Sequence, residues 1–318
     1  VRIDGKKLTG RLALLFFGLL LGLLAGELLL RQMGLQTFTG ATHPMDLGPD
    51  PLQVMALDED LGFMPRIGPQ ERYGLYGCLP NDYDVNDRGG RRRLLFIGDS
   101  VTHRAKIVEG LRKQYGDEDY EYWNAGVESF NTVQELALYR RSNREIKPDH
   151  VILTFHNNDF LQTPVAYFEE GQLHLGVPLS SSSSRWFLRN SALYRTFVLM
   201  TTSRTLVETD KVEQSLAELK KVVEADGAKL SVVLLPILAP PAEWKGVEKE
   251  SREYSLRILK SLELPVYDLL ETLEKALAEG VNVEEIPGDT WHPSQELADR
   301  FAEYLADEEI LEADGPSR

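Results

Sequence analysis

The segment Arg93-Leu94-Leu95-Phe96-Ile97-Gly98-Asp99-Ser100 narrows the choice of folds more than any other part of this chain. A short apolar run of this kind is a buried strand; the glycine breaks the extended backbone, and Asp99 and Ser100 are residues that open helices. A strand that hands over at once to a helix starts a parallel crossover. The rest of the chain keeps that rhythm. From Arg91 onward, apolar runs at 93–97, 120–124, 150–155, 229–235 and 264–268 read as strands, and helical spacing recurs at 104–115, 132–145, 208–225, 249–262, 268–279 and 295–306. Such alternation predicts an α/β fold with a five-stranded parallel sheet and helices on both faces. Ligands of open parallel sheets bind beyond the carboxyl ends of the strands.

Chemistry-bearing residues fall at those ends. Ser100 follows the first strand, and Asp289-Thr290-Trp291-His292-Pro293 stands nearly two hundred residues later, on a loop before the last helix. A serine hydroxyl needs a base to become a nucleophile at neutral pH, and the base needs a partner to set its tautomer. Ser100, His292 and Asp289 supply one candidate for each role. Asn124-Ala125-Gly126 follows the strand-like Tyr120-Glu121-Tyr122-Trp123, and His156-Asn157-Asn158-Asp159 follows Val151-Ile152-Leu153-Thr154-Phe155. Each residue also has a plain structural reading: Ser100 as a helix N-cap, Gly126 as a glycine with positive φ, Asn158 as a turn residue. Asp99 is read as a brace of its turn, Asp268 as a helix N-cap outside the triad, and Ser294 as the N-cap of the last helix.

These blocks, in this order, resemble the SGNH (GDSL-type) hydrolases over residues 91–308. The resemblance implies a three-layer, flavodoxin-like strand order, Ser100 as nucleophile, His292 as base and Asp289 as its orienting acid. It also implies an oxyanion hole from the Ser100 and Gly126 N–H groups and the Asn158 side chain. One position departs from the family pattern: His156 stands where glycine is usual. His103 and His156 are candidates to line the cleft. No spacing suggests a metal site, and no cofactor is implied.

Composition excludes other classes. A formal net charge of −15 over 318 residues argues against a nucleic-acid partner. Cys78 is the only cysteine, so neither an intrachain disulfide nor a thiolate metal cluster can form, and the thiol is read as a small buried hydrophobe.

Leu12 to Gly26 is an unbroken apolar run that Leu28–Leu30 extends past Glu27. As a helix, 12–30 covers about 28 Å, close to the hydrocarbon thickness of a bilayer. Lys6, Lys7 and Arg11 precede it, so residues 1–11 are expected in the cytoplasm and the rest across the membrane. An uncleaved signal anchor is favoured over a cleaved signal peptide, because Leu23 and Leu24 occupy positions where small residues are wanted. Glu27 is expected at the outer interface, reached by water. Residues 32–318 carry 30 Lys or Arg and 48 Asp or Glu, so the helix rather than surface charge is expected to do the anchoring.

Residues 31–90 are read as an extended pre-domain segment, 91–308 as the catalytic domain and 309–318 as an acidic tail. Residues 160–207 form a long insertion, with a packing helix expected to bury Trp186, Leu193, Phe197 and Met200, a loop over Ser180–Ser184, and a contribution to the acyl pocket. Three functions compete. The first is an exported, membrane-anchored serine esterase acting on small-molecule or glycan O-acyl esters. The second is an O-acetyltransferase acting on envelope or exported polysaccharide, and the third a non-catalytic envelope binding or scaffolding protein. The sequence names no protein partner.

Overall fold

A computed structural model of the chain describes residues 5–32, 54–160, 163, 165–169, 172–176, 183, 186–187, 190–201 and 209–311. His43, the Gly48–Pro51 stretch whose residues favour a turn, most of the serine run and residues 312–318 lie outside them. The chain forms two compact units. The larger holds the parallel sheet; the smaller holds the long apolar helix and the insertion.

The sheet grows from strand β3 (Arg92–Ile97). It is flanked by β4 (Tyr120–Asn124) on one side and β5 (His150–Phe155) on the other, followed outward by β8 (Lys229–Leu234) and β9 (Val266–Asp268). All pairings are parallel, in the order β4-β3-β5-β8-β9. Counted within the sheet this is 2-1-3-4-5, the flavodoxin-like order, whose switch point lies at the carboxyl end of its first strand.

Side chains of β3 alternate between two apolar layers, as a strand buried on both faces requires. Leu94 and Phe96 join Val108 and Leu111 of α3 (Lys106–Tyr115), Leu273 of α8 (Leu270–Ala278) and Phe301 and Leu305 of α9 (Gln295–Asp307). Leu95 and Ile97 join Tyr139 of α4 (Thr132–Arg141), Leu216 and Leu219 of α6 (Thr209–Ala225) and Leu259 of α7 (Gly246–Ser261). Cys78 lies within this second layer, 3% exposed, and burial pushes its thiol pKa up.

The helix expected over 104–115 is α3, which begins at Lys106, and a separate short helix comes before it. α2 (Ser100–His103) is one turn, and Ala105, at φ 61°, separates it from α3. That left-handed residue lets the serine turn and the packing helix point in different directions.

At the amino ends of the strands, Arg93 and Glu121 are register partners and a buried ion pair, with Nε 2.9 Å from Oε2 and side chains 3% and 0% exposed. Glu121 also accepts from Trp123 Nε1 at 3.0 Å and pairs with Arg91 at 3.1 Å. The Arg93 guanidinium donates to the carbonyls of Asp84, Val85 and Ile146, so the 81–86 stretch does lie against the sheet. Short strands β1 (Met55–Asp58) and β2 (Gly62–Pro65) precede it.

In the smaller unit, α1 (Gly5–Gln32) contains a 23-residue apolar stretch, Gly10–Gln32, long enough to cross a membrane. The insertion forms an antiparallel hairpin, β6 (Val165–Glu169) and β7 (Gln172–Gly176), and helix α5 (Ala192–Thr201) packed on α1. The expected buried stripe is corrected here: Trp186 is 59% and Phe197 61% exposed, and Leu193 is half-buried. The side chains of Tyr167, Phe168, His174 and Met200 lie outside the described residues.

Candidate active site

Gly98 ends β3 with φ 154°, and a Cβ there would stand 2.3 Å from Thr102 Oγ1 and 3.1 Å from Thr154 Cβ, so only glycine fits the turn. Asp99 caps α2: Oδ1 accepts from Val101 N at 2.9 Å. Ser100 is therefore the first helical residue rather than the cap. Its N–H belongs to the donors that a first turn leaves without intrahelical partners, at the positive end of the peptide dipoles.

The loop before α9 brings the base to this turn. His292 Nε2 lies 2.8 Å from Ser100 Oγ, and His292 Nδ1 lies 2.7 Å from Asp289 Oδ2. Asp289 Oδ1 also accepts from Trp291 N at 3.0 Å and His292 N at 3.3 Å. Burial raises the Asp289 pKa, but the His292 ring and the Trp291 and His292 N–H groups outweigh it, holding the carboxyl below its ordinary value. An ionised carboxylate there accepts a hydrogen bond from Nδ1–H, fixing the tautomer that leaves Nε2 as the acceptor toward Ser100. Ser294 Oγ accepts from Leu297 N and so caps α9.

A clasp absent from the sequence reading holds that loop. Glu285 pairs with Arg104, and with Lys106 Nζ at 2.8 Å; Lys106 Nζ also donates to Pro293 O at 2.9 Å. Burial alone would raise the Glu285 pKa, but the two cations bring it below its ordinary value. Glu285 N donates to His292 O at 3.0 Å, so one residue ties the α2–α3 junction to the histidine. The unusually basic run Arg104-Ala105-Lys106 was the available signal.

The three oxyanion candidates differ in their present engagement. Gly126 does not have positive φ; glycine is required because a Cβ would stand 2.3 Å from His103 N. Its N–H donates to Asn124 Oδ1 at 2.9 Å, while Asn124 Nδ2 donates to Thr102 O at 2.7 Å. Asn124 is thus a brace between the second block and the serine helix, and Gly126 N–H is already committed in this state. Asn158, on the helical turn Asn157–Phe160 after β5, donates from Nδ2 to Asp99 Oδ2 at 2.5 Å, which leaves its second amide hydrogen for an oxyanion.

His103 and His156 do not line an open cleft; they are 8% and 1% exposed. His103 Nδ1 meets Tyr73 OH at 3.0 Å and Nε2 meets Arg72 at 2.9 Å, so residues 72–73 cover the back of α2. The His156 ring packs under Trp291, with centroids 4.7 Å apart. Burial lowers the pKa of both imidazoles. His150, opening β5, is likewise buried, with Nε2 2.9 Å from Ser231 Oγ and a pKa lowered by burial to about 4. Asp268 Oδ1 accepts from Leu270 N at 3.0 Å, but it stands one residue before the N-cap of α8, which is Leu269 rather than the expected Asp268. Among the described residues no group of His, Cys, Asp or Glu side chains converges as metal ligands would.

Fold and site together define an α/β protein with a five-stranded parallel sheet in flavodoxin-like order, with Ser100, Gly126 and Asn158 following three adjacent strands. The chain is similar in structure to Axe2, an acetylxylan esterase from Geobacillus stearothermophilus, at 16% identity and a TM-score of 0.48, over 71% of this chain and 97% of that one. It is also similar to LAE5, an alpha/beta hydrolase enzyme from the metagenome of Lake Arreo, Spain, at 15% identity and a TM-score of 0.48, over 70% and 97%. For TesA the values are 19% identity, a TM-score of 0.43, 68% and 97%. No family model and no curated protein sequence matches the chain.

Proposed function

We propose that the chain is a serine esterase that cleaves O-acyl esters, acetyl or other short-chain esters first among them, tethered by α1 to the outer face of a cell membrane. The observation that carries this reading is the continuous relay Asp289 Oδ2, His292 Nδ1, His292 Nε2, Ser100 Oγ, with steps of 2.7 and 2.8 Å. Ser100 Oγ attacks the ester carbonyl while His292 Nε2 takes its proton. The tetrahedral oxyanion is met by Ser100 N–H and the second hydrogen of Asn158 Nδ2. Collapse expels the alcohol, which leaves with the proton from His292. Water, deprotonated by the same ring, then attacks the acyl-serine and releases the acid. Lys6, Lys7 and Arg11, in the first turns of α1 ahead of its apolar run, favour the cytoplasm for residues 1–11 and export for the larger unit.

The test is acetate release from acetylated xylo-oligosaccharide and from an aryl acetate, with and without an unacetylated glycan acceptor. The esterase reading expects acetate in both, abolished by Ser100→Ala. Acetylated acceptor in place of acetate would make the chain a transferase, and no turnover by folded protein would make it a binding protein.

A further inference from the structure

Glu27 and Arg31 are the charged residues inside the apolar stretch Gly10–Gln32, apart from Arg11 at its start. A carboxylate bathed in water needs no protein donors, yet Glu27 collects four. Oε1 accepts from Arg31 Nε and Ala192 N, each at 2.8 Å; Oε2 accepts from Ser191 Oγ at 2.8 Å and Leu193 N at 2.9 Å. Arg31 Nη2 in turn donates to Asn190 O at 2.8 Å. The expectation that water satisfies Glu27 is thereby replaced: its charge is met within the protein, and it caps the first turn of α5. Leu193 Cδ1 comes within 3.4 Å of where a Cβ on Gly26 would stand, so α5 closes onto α1 at a residue with no side chain. Ionisable groups at membrane depth pair with one another and with backbone in this way, and helix ends there need every N–H satisfied.

The segment docked at Glu27 is apolar and aromatic. α5 reads ALYRTFVLMT, with one charged residue. Two bonds lead into it, Asn190 Nδ2 to Trp186 O and Ser191 N to Phe187 O, both at 2.8 Å. Trp186, Phe187 and Phe197 are 59%, 48% and 61% exposed. The Trp186 and Phe187 ring centroids lie 5.1 Å apart, and those of Phe187 and Tyr194 5.7 Å. These aromatics stand within roughly two helical turns of the end of α1, whose own leucines reach 77% exposure. Apolar surface continuous with a span, rich in Trp, Phe and Tyr and nearly without charge, fits the boundary of headgroups and acyl chains.

We infer that the 186–201 segment is a second membrane element, a monotopic aromatic foot held by Glu27 against α1 and seated in the lipid interface of the bilayer that α1 spans. This rests on the anchor reading of α1. The test uses the full chain in lipid nanodiscs with Cys78→Ser and one spin label at Leu20→Cys, Phe187→Cys, Phe197→Cys or Glu271→Cys. Collision rates with oxygen and with a water-soluble nickel chelate are compared. The inference expects the oxygen-to-nickel ratio at 187 and 197 to exceed that at 271 several-fold, and to fall toward it when Glu27→Ala is added. Immersion at 20 with values at 187 and 197 equal to 271 overturns the foot and leaves the anchor standing. Exposure at 20 as well overturns both. Immersion at 187 that is unaltered by Glu27→Ala overturns the role of Glu27 as its clamp.

Discussion

Asn158 Nδ2 donates to Asp99 Oδ2 at 2.5 Å, tying the turn after β5 to the turn that presents Ser100. Asp99, 3% exposed, also holds Val101 N, so one carboxylate braces both the serine helix and the Asn158 amide proposed to meet the oxyanion. Asn158→Ala is expected to lower kcat by about a hundredfold to a thousandfold with little change in KM. Asp99→Asn brings two amide NH2 groups into competition for one contact and should reproduce part of that loss. Because Asp99 acts through Asn158, the double variant should be no slower than the worse single one by more than the folding cost, which steady-state kinetics on all three will show.

The Glu285 clasp gives a second prediction. Removing its charge with Glu285→Gln leaves Arg104 and Lys106 without the carboxylate that draws them to the histidine loop. Small displacements of a catalytic group are costly, so kcat should fall on the order of tenfold while KM is kept. Unchanged kcat would reduce the clasp to an ordinary surface ion pair.

Glu135 gives a third. It is 2% exposed, both its side-chain oxygens lack hydrogen-bond partners, and burial together with the nearby Asp159 and Asp99 charges raises its pKa well above the ordinary value. A carboxyl whose folded pKa is raised contributes stability that is complete below its unfolded pKa, about 4.3, and is lost as pH rises through the folded value. Glu135→Gln keeps the shape and cannot ionise. Its melting temperature should match the wild type near pH 4 and exceed it by a growing margin as pH rises. Melting curves from pH 4 to 9 measure this.

The Arg93–Glu121 pair gives a fourth. Both side chains are buried, and Glu121→Ala strands a guanidinium beneath the sheet. Unfolding in urea should show a loss of about 3–5 kcal/mol. Replacing both partners with apolar residues should cost less than that single change.

Much of this was readable in the residues, for physical reasons. Two-sided burial makes parallel strands continuous apolar runs, so β3, β4, β5 and β8 stood out within a residue or two. The helices after them showed their own period. The convergence of Ser100, Asp289 and His292 was legible because histidine is scarce, six in the chain, and one of the six follows an acid by three residues at an element end. The Glu285 clasp and the Glu27 cap were not legible: the partners are 179 residues apart or more in the first case and about 165 in the second, and surface charges carry no period. The Arg93–Glu121 pair was not legible, since no local pattern announces a cross-strand ion pair. The hairpin β6–β7 was missed because its connection lies in a segment read as loop. Trp186 and Phe197 were assigned to the core because an aromatic stripe has the same spacing whether protein or lipid covers it.

The central claim is that Ser100 is an activated nucleophile. The direct measurement is covalent labelling of the folded protein by a fluorophosphonate, with the modified peptide identified by mass spectrometry. Phosphonylation is expected at Ser100 in the wild type, with none in Ser100→Ala and a steep loss of rate in His292→Ala. A folded wild-type protein that stays unlabelled, or is labelled elsewhere with Ser100 untouched, would contradict it.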